Sequence, residues 1–438
     1  EFYAWAEYNN GEIGEAPQII KVGILPPLKE MTPKHFMTQM WGGRIVNLND
    51  RDLIRSFVKE TLAKTGFNNL QNGTDLVQGT DMTTFAVLNL QTTWGKEADE
   101  FLEKYPDLTL IDYLGDPIAL GAYSRVCSSV LLENAEMQKI MFETIQKRFD
   151  LYDHINFDFE RPVTAGPLSC YCPRCLNHFK QESKIPENTV LDYKIIQAEY
   201  QDLWTRFMNR KLAALTIILQ KITHRLGKQL TFYSGYESQK TLVQYGVDWN
   251  LIAEGIDYAL CGYRTSTEII RNTLTAIKDK PLITGVIASP WHFTSREESK
   301  QIDKAFTIKG IVLGSKGFLC YNLPQLDGRS YYAMSETAAI LTRFEDILYF
   351  GKINNQWLTK VEGLSEDQYA LFERPGYKRR VLLIYNEELT KTAPFKISLN
   401  KAGLKVYDAA NDQLVPVNNL SFSGTVKAED FNVYYIEE

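Results

Sequence analysis

Residues 154–160 read His-Ile-Asn-Phe-Asp-Phe-Glu, and this stretch decides how the chain is interpreted. Its apolar and polar side chains alternate with a period of two, as in a β-strand with two different faces. In a parallel barrel the apolar face packs on the surrounding helices, and the face with Asn156, Asp158 and Glu160 looks into the lumen. Branched aliphatic residues usually fill that space, so three polar residues there are costly unless they have a function.

The surrounding sequence predicts a (β/α)8 barrel. From about residue 50 to 325, helical periodicity alternates with short strand-like runs, as in repeated βα units around a parallel sheet. An eighth strand is expected in the N-terminal region, at either 2–7 or 19–25. The other seven are predicted at 69–71, 108–113, 154–160, 230–236, 256–263, 282–287 and 317–323.

The helical and C-terminal patterns predict how the chain is divided. A helix is expected at 136–149, before the fourth strand, and a long one at 190–226, where apolar residues recur at core spacing and Gly227 follows. After a last helix near 335–349 the pattern changes to short alternating runs. We therefore expect a catalytic barrel in residues 1–350 and a small antiparallel, β-sandwich-like domain in residues 355–438.

Composition excludes several classes of protein. The chain has 438 residues, 44% of them hydrophobic, and a formal net charge of -6, without the basic surplus that a nucleic-acid partner requires. No apolar run approaches the roughly 20 residues that cross a bilayer.

The sequence starts at Glu1 without an initiator Met, which favours a secreted or periplasmic protein whose signal was removed and leaves a cytoplasmic one open. A homo-oligomer is left open, because barrels with a trailing β domain often associate.

Glu160 is the main catalytic candidate because it lies at the carboxyl end of its strand, where barrel active sites are found. Two carboxylates crowded on one face repel, which raises one pKa and keeps a protonated acid available near neutral pH. Cleavage of a glycosidic bond needs such an acid. We therefore predict a hydrolase of oligo- or polysaccharides, with Glu160 as general acid/base and Asp158 as its tuning residue or partner. The alternative is a structural ion pair with Arg161 or Arg264.

Glycoside hydrolysis usually needs a second carboxylate, and three more follow predicted strands. Glu237 is the first choice, because the alternation that sends Phe232 outward sends Tyr233 and Glu237 inward. Each of these groups could instead be a solvated surface residue. The other two candidates are Glu298 and Asp327.

Aromatic residues near the strand ends suit stacking on the C–H faces of sugars, although aromatics also simply cap barrels. Trp291 is singled out because residues 289–292 leave the seventh strand with its ring free to line a cleft. The predicted substrate-binding set consists of Asn156, Tyr236, Tyr263, Trp291, His292 and Tyr321, with Phe293 and Tyr331 as further aromatic candidates.

Three cysteines crowd into residues 170–175, close enough to share one tetrahedral ion, and zinc prefers closed thiolate sites. Cys127, in the segment before the fourth strand, is the expected fourth ligand, and His178 is its rival. Free or disulfide-linked thiols are the alternative. The predicted structural zinc ligands are Cys127, Cys170, Cys172 and Cys175. No organic cofactor is expected.

The order of Glu160, then the three cysteines of 170–175 and Phe179, with Cys127 upstream, resembles glycoside hydrolase family 42 β-galactosidases and barrel proteins described only as glycoside-hydrolase-like. The similarity covers about residues 120 to 180. It implies that Glu160 is the acid/base catalyst and that the four cysteines hold zinc.

Two positions depart from the family 42 pattern. Phe159 stands where that family has Asn, and residues 286–290, which match its nucleophile region, contain no carboxylate. Residues 153–160 also resemble the strand-four motif of family 18 chitinases, with departures at His154 and Asn156. That resemblance implies a substrate-assisted reaction, in which the N-acetyl group of the sugar replaces the second carboxylate.

Two other classes of protein remain as alternatives. A catalytically silent, glycan-binding barrel is supported by the absence of a carboxylate at Ile287. A metal-dependent hydrolase is opposed by the closed cysteine set, which leaves no open coordination position.

Overall fold

The computed structural model describes residues 25–42, 52–90, 95–118, 125–163, 168–287, 303–321, 328–388 and 390–438. Eight parallel strands pair in chain order, and the eighth pairs with the first, so that they close a barrel. The predicted fold class is therefore confirmed. The strands are β1 (Met37–Met40), β2 (Asn69–Gln71), β3 (Thr83–Leu88), β4 (His154–Asp158), β5 (Gln229–Ser234), β6 (Tyr258–Cys261), β7 (Leu282–Ile287) and β8 (Gly317–Tyr321).

Helices cover the outside of the barrel, and several begin at a side chain that accepts a backbone N–H, as Asn134, Asp192, Ser238 and Ser266 do. No helix in the described ranges is long and apolar enough to cross a membrane. The α-helices are α1 (Asp52–Thr65), α2 (Thr74–Val77), α3 (Gly95–Lys104), α4 (Ser128–Glu133), α5 (Ala135–Phe149), α6 (Pro173–Ser183), α7 (Tyr193–Glu199), α8 (Gln201–Arg225), α9 (Gln239–Tyr245), α10 (Trp249–Ile252), α11 (Thr267–Ile277), α12 (Asp303–Leu313), α13 (Gly328–Arg343) and α14 (Glu345–Leu348).

The alternation along β4 has the predicted orientation. Ile155, Phe157 and Phe159 are buried in the main core, which lies between the barrel strands and the helices. A second, smaller group of apolar side chains from six other strands or strand ends fills the lumen, and we call it the lumen cluster. Its buried members are Met37, Trp41, Phe85, Tyr233, Leu260, Ile283 and Leu319.

Two strand predictions are wrong. The third strand is β3, whereas predicted residues 108–113 form only isolated bridges outside the barrel, from Thr109 to Val126 and from Ile111 to Pro117. The first strand is β1 rather than either predicted segment; residues 2–7 and 19–24 lie outside the described residues. β1 is short and β3 begins with two threonines, so the apolar alternation of these strands is weaker than that of the predicted segments. The predicted long helix is divided at Tyr200 into α7 and α8.

The C-terminal β unit contains two antiparallel sheets, ordered β10-β13-β16 and β15-β14-β17-β12-β11-β9. Apolar side chains of both sheets form one shared core, as in a sandwich. The strands are β9 (Lys352–Ile353), β10 (Leu358–Glu362), β11 (Tyr369–Glu373), β12 (Arg379–Asn386), β13 (Ala393–Leu399), β14 (Lys405–Asp408), β15 (Gln413–Val415), β16 (Ser421–Val426) and β17 (Asp430–Glu437).

The larger of these sheets also packs on the barrel. Phe372, Val381 and Tyr435 share the main core with Phe306 of α12 and Ile347 of α14. The division of the chain near residue 350 remains a prediction, since this core is continuous across it.

An ion pair formed by a buried lysine joins the same two parts. The ammonium of Lys309, on α12, lies 2.9 Å from a carboxylate oxygen of Glu387 at the end of β12. It also donates a 3.0 Å hydrogen bond to the carbonyl of Thr265, in the segment between β6 and α11. One lysine therefore connects α12 both to the C-terminal β unit and to a barrel loop.

Candidate active site

Glu160 and Asp158 lie at the carboxyl end of β4, on its lumen side. Asp158 is the register partner of Tyr233 on β5, and the backbone N–H of Phe159 donates to the carbonyl of Tyr233 at 3.0 Å. This bond extends the strand pairing one residue beyond β4. Glu160 therefore stands at the mouth of the barrel, one step above Asp158, and both side chains are partly buried.

Both carboxyl groups have raised pKa values. Burial raises the pKa of Asp158 to about 6, against the opposing charge of Arg161. Burial and, second, the charge of Asp158 raise the pKa of Glu160 to about 7, again opposed by Arg161. Near neutral pH a substantial fraction of Glu160 is therefore protonated, which is the state that a general acid needs.

Tyr233 adds a buried hydroxyl group beside these carboxyls. Its side chain is 6% exposed and packs on Trp41 with ring centroids 4.8 Å apart. Its hydroxyl shares a hydrogen bond with Tyr263, and burial, then the charge of Glu160, raises its pKa well above the usual value. A Cβ at Gly262 would lie 2.0 Å from this hydroxyl, so the glycine makes room for it.

Tyr263 and Tyr321 are the predicted aromatics that do present a surface at this end of the barrel. They are 38% and 39% exposed; Tyr263 follows β6 and Tyr321 ends β8, with β7 between these two strands. Tyr263 has φ 74°, a left-handed backbone that residues other than glycine seldom adopt and that clusters at functional sites. The two rings are therefore available for stacking on a sugar.

Tyr233 is absent from the residues that the sequence singled out as catalytic or substrate-binding. The signal was available, because the alternation along β5 places its side chain in the lumen, level with Asp158. A large polar side chain at that depth is unusual in a barrel interior.

Glu237 lies among helices rather than beside Glu160. One of its carboxylate oxygens accepts a 3.3 Å hydrogen bond from the backbone N–H of Trp249, the first residue of α10. Its own backbone N–H donates to the hydroxyl of Thr273 on α11. Burial raises its pKa. The carboxylate of Glu237 is therefore engaged at the start of α10, and the alternation of β5 does not continue to this residue, because the strand ends at Ser234.

Asn156 and Tyr236 lie too deep to offer a sugar a surface. Asn156 is fully buried one level below Asp158, where its amide oxygen accepts a 2.9 Å hydrogen bond from Thr231. Tyr236 is 5% exposed and belongs to the main core. The remaining candidates, Trp291, His292, Phe293, Glu298 and Asp327, lie outside the described residues.

Cys127, Cys170, Cys172 and Cys175 converge as predicted, since all four are buried and their sulfur atoms lie within 4.8 Å of one another. The Sγ of Cys127 is 3.6 Å from that of Cys172 and 3.4 Å from that of Cys175. A tetrahedral zinc site with bonds of about 2.3 Å has sulfur–sulfur edges of about 3.8 Å, whereas a disulfide bond measures about 2.0 Å. The geometry fits a shared metal ion.

Local structure explains how the cysteines meet. Cys172 caps α6, and its Sγ accepts the backbone N–H of Cys175 at 3.5 Å. Cys127 immediately precedes α4. Contacts with the other three thiols, together with the charge of Lys211, lower the pKa of Cys175, which favours the thiolate that binds metal.

His178 lies outside the cysteine group. Its Nδ1 is 3.3 Å from the hydroxyl of Ser129 and 3.4 Å from a carboxylate oxygen of Glu133. The fourth member of the group is therefore Cys127, the expected ligand, and not its rival His178. The two other cysteines, Cys261 and Cys320, are buried in β6 and β8.

No family model and no curated protein matches this sequence. Solved structures do resemble its fold. A catalytic mutant of a GH42 β-galactosidase from G. stearothermophilus is similar with a TM-score of 0.59 and 9% sequence identity, over 93% of this chain and 100% of that chain.

Two further structures show the same likeness. A β-galactosidase from Bacillus circulans sp. alkalophilus gives a TM-score of 0.56 at 8% identity, over 92% of this chain and 99% of the other. An α-L-fucosidase isoenzyme from Paenibacillus thiaminolyticus gives 0.55 at 8% identity, with the same coverage. The chain therefore shares the fold of these glycoside hydrolases, and at this identity the likeness concerns the fold alone.

Proposed function

We propose that this protein is a glycoside hydrolase that acts on an oligo- or polysaccharide, with Glu160 as general acid/base. One observation carries the proposal: two carboxyl groups face the mouth of the barrel from β4, and the pKa of Glu160 is raised to about 7. This arrangement supplies a protonated acid where barrel enzymes bind their substrates. The fold likeness to glycosidases supports the same class of reaction.

In this proposal Glu160 donates its proton to the glycosidic oxygen as the bond breaks, and then acts as base toward water. Asp158 raises the pKa of that acid and stabilises positive charge that develops on the sugar. Tyr263 and Tyr321 stack on the sugar ring. Tyr233 fixes the position of Tyr263 through their shared hydrogen bond.

Two versions of the mechanism are considered, and they differ in the nucleophile. Cα atoms two residues apart on a strand are about 7 Å from one another, so the carboxyls of Asp158 and Glu160 could act as a pair across one bond. A substrate-assisted reaction on an N-acetylated sugar needs only Glu160 as acid, with Asp158 supporting the N-acetyl group. It is favoured by the engagement of Glu237 with α10 and by the absence of a carboxylate at Ile287, where β7 ends.

The test is turnover of a panel of aryl glycosides and glycans, including N-acetylhexosaminides, by wild type and Glu160→Gln. Loss of a general acid is expected to lower turnover by about a hundredfold or more. Glu254→Gln is the matched control, because this glutamate is exposed in the turn before β6. Undiminished turnover by Glu160→Gln would contradict the assignment.

A catalytically silent, glycan-binding barrel is the second candidate, favoured by the same absence of a carboxylate at Ile287. It predicts that wild type binds glycans without turning over any member of the panel. Binding is then measured by titration calorimetry, and Tyr321→Ala weakens it while Glu160→Gln leaves it unchanged.

We also propose that the four cysteines hold a structural zinc ion. Four thiolates leave no open coordination position, so the ion would fix the segment after β4 and take no part in the reaction. The measurement is the zinc content of protein purified without added metal. One ion per chain is expected, and Cys172→Ser should contain none. A metal-free wild type that keeps its full thermal stability would contradict the proposal.

A further inference from the structure

We propose that Lys211 is a positioning residue that balances the charge of the cysteine centre and thereby sets its affinity for a divalent metal ion. This inference rests on the zinc proposal above. It concerns a residue on α8, remote in sequence from all four cysteines, and it follows from the contacts of one buried ammonium group.

Lys211 lies in the middle of α8, on the face that packs into the main core. Its neighbours along that face are apolar, including Trp204, Phe207 and Leu215, and Lys211 itself is only 6% exposed. Lysine is almost never buried to this extent unless it is paired. Something near its amine must therefore compensate the charge.

The cysteine centre provides that compensation. The Nζ atom donates to the hydroxyl of Ser128 at 2.8 Å, to the hydroxyl of Ser129 at 3.2 Å and to the Sγ of Cys175 at 3.3 Å. These three acceptors match the three N–H groups of an ammonium. The ring of Phe207 lies 4.7 Å from Nζ, so an aromatic face adds a cation–π contact.

Sulfur is the only anionic partner that the described part of the chain gives this lysine. None of the ion pairs in the described ranges involves Lys211, and the two serine hydroxyls that accept from it are neutral. The buried positive charge is therefore matched to a thiolate. An apolar residue would pack on α8 at lower cost if the centre carried no charge.

Charge arithmetic gives the lysine its role. Four thiolates and one divalent ion carry a net charge of -2, and a buried net charge is strongly unfavourable in an apolar core. The ammonium reduces it to -1 at the sulfur of Cys175. Arg174, whose guanidinium lies near the thiol of Cys127, is placed to offset the remaining charge from the solvent side.

The experiment measures zinc affinity by competition with a chromophoric chelator, on the full-length protein. Lys211→Met removes the charge and keeps the length of the side chain, and Lys211→Gln removes the charge and keeps polar donors. Each is expected to weaken zinc binding by about ten- to a hundredfold, the usual cost of losing a group that supports metal ligands. Lys211→Arg should recover most of the affinity because it restores the charge.

Two controls separate charge from general damage. Lys221→Met removes an exposed lysine from the same helix and should leave affinity unchanged. Ser128→Ala combined with Ser129→Ala removes both hydroxyls that accept from Lys211, together with their own contacts to the Sγ of Cys175, and keeps the ammonium, so it should bind zinc within about threefold of wild type. The cobalt-loaded protein gives an independent readout, since loss of the adjacent cation should shift the sulfur-to-cobalt charge-transfer band in Lys211→Gln.

The outcomes are distinct. If wild type binds zinc and the two neutral variants bind it equally well, the inference about Lys211 is overturned and the zinc proposal stands. If the double serine variant loses as much affinity as Lys211→Met, hydrogen bonding rather than charge is responsible, and the inference is again overturned. If wild type binds no zinc, both proposals fail together.

Discussion

Glu160→Gln should stabilise the protein at alkaline pH, and this prediction can be checked without knowing the substrate. The pKa of Glu160 rises from 4.5 to about 7 on folding. Below about pH 4.5 the side chain is protonated in both states. Between about pH 4.5 and 7 the unfolded chain is ionised while the folded chain still holds the proton, so the free energy of unfolding falls as pH rises through this range. Glutamine does not ionise and escapes this loss.

The size of the effect follows from the shift. The pKa values of the folded and unfolded states differ by about 2.5, which corresponds to about 3 kcal/mol. Partial exposure of the side chain reduces the expected value to about 2 kcal/mol. The difference in free energy of unfolding between Glu160→Gln and wild type should therefore grow by about 2 kcal/mol from pH 4 to pH 8. Urea denaturation at both pH values measures it, and Glu254→Gln serves as the exposed control.

A constant difference between Glu160→Gln and wild type across this pH range would refute the reasoning. It would mean that the Glu160 carboxyl is hydrated in the folded protein, and the acid that the proposed reaction needs would be lost with it.

Three further predictions concern the same barrel end. Asp158→Asn removes the charge that helps to raise the pKa of the general acid. The alkaline limb of the pH profile of kcat/KM should therefore move to lower pH by about one pH unit. An alkaline limb at the wild-type pH would show that the charge of Asp158 does not raise the pKa of Glu160. Gly262→Ala places a methyl group 2.0 Å from the hydroxyl of Tyr233. This substitution should lower the free energy of unfolding by about 1–3 kcal/mol, as measured by thermal denaturation, and should also lower kcat/KM. Cys172→Ser removes a zinc ligand and should lower the unfolding temperature by several degrees. Cys261→Ser is the control, because this cysteine is also buried but lies outside the four-cysteine group, so the variant should retain bound zinc.

The sequence predicted best where a local pattern has one physical solution. Strict alternation over 154–160 determined which side chains of β4 enter the lumen, because the two faces of a strand cannot exchange without a shift in register. The close spacing of Cys170, Cys172 and Cys175 similarly placed three thiols around one point. Cys127 joined them because both segments leave the same end of the barrel.

The sequence predicted poorly where tertiary contacts decide. β1 has four residues, Met-Thr-Gln-Met, and is a strand only because β2 and β8 pair with it. Residues 108–113 alternate as a strand does but have no barrel neighbour. Glu237 was assigned to the lumen by extending the alternation of β5 past its end at Ser234. Lys211 was hidden because its partners lie more than thirty residues away.

The ion pair between Lys309 and Glu387 limits how this protein can be divided into separately expressed parts. A barrel fragment ending near residue 350 would lose Glu387 and leave the Lys309 ammonium without this counter-ion. It would also expose Phe306 and Ile347, which the larger sheet covers. Such a fragment is expected to aggregate when expressed alone, and grafting the barrel onto an unrelated β module would require a replacement for this carboxylate.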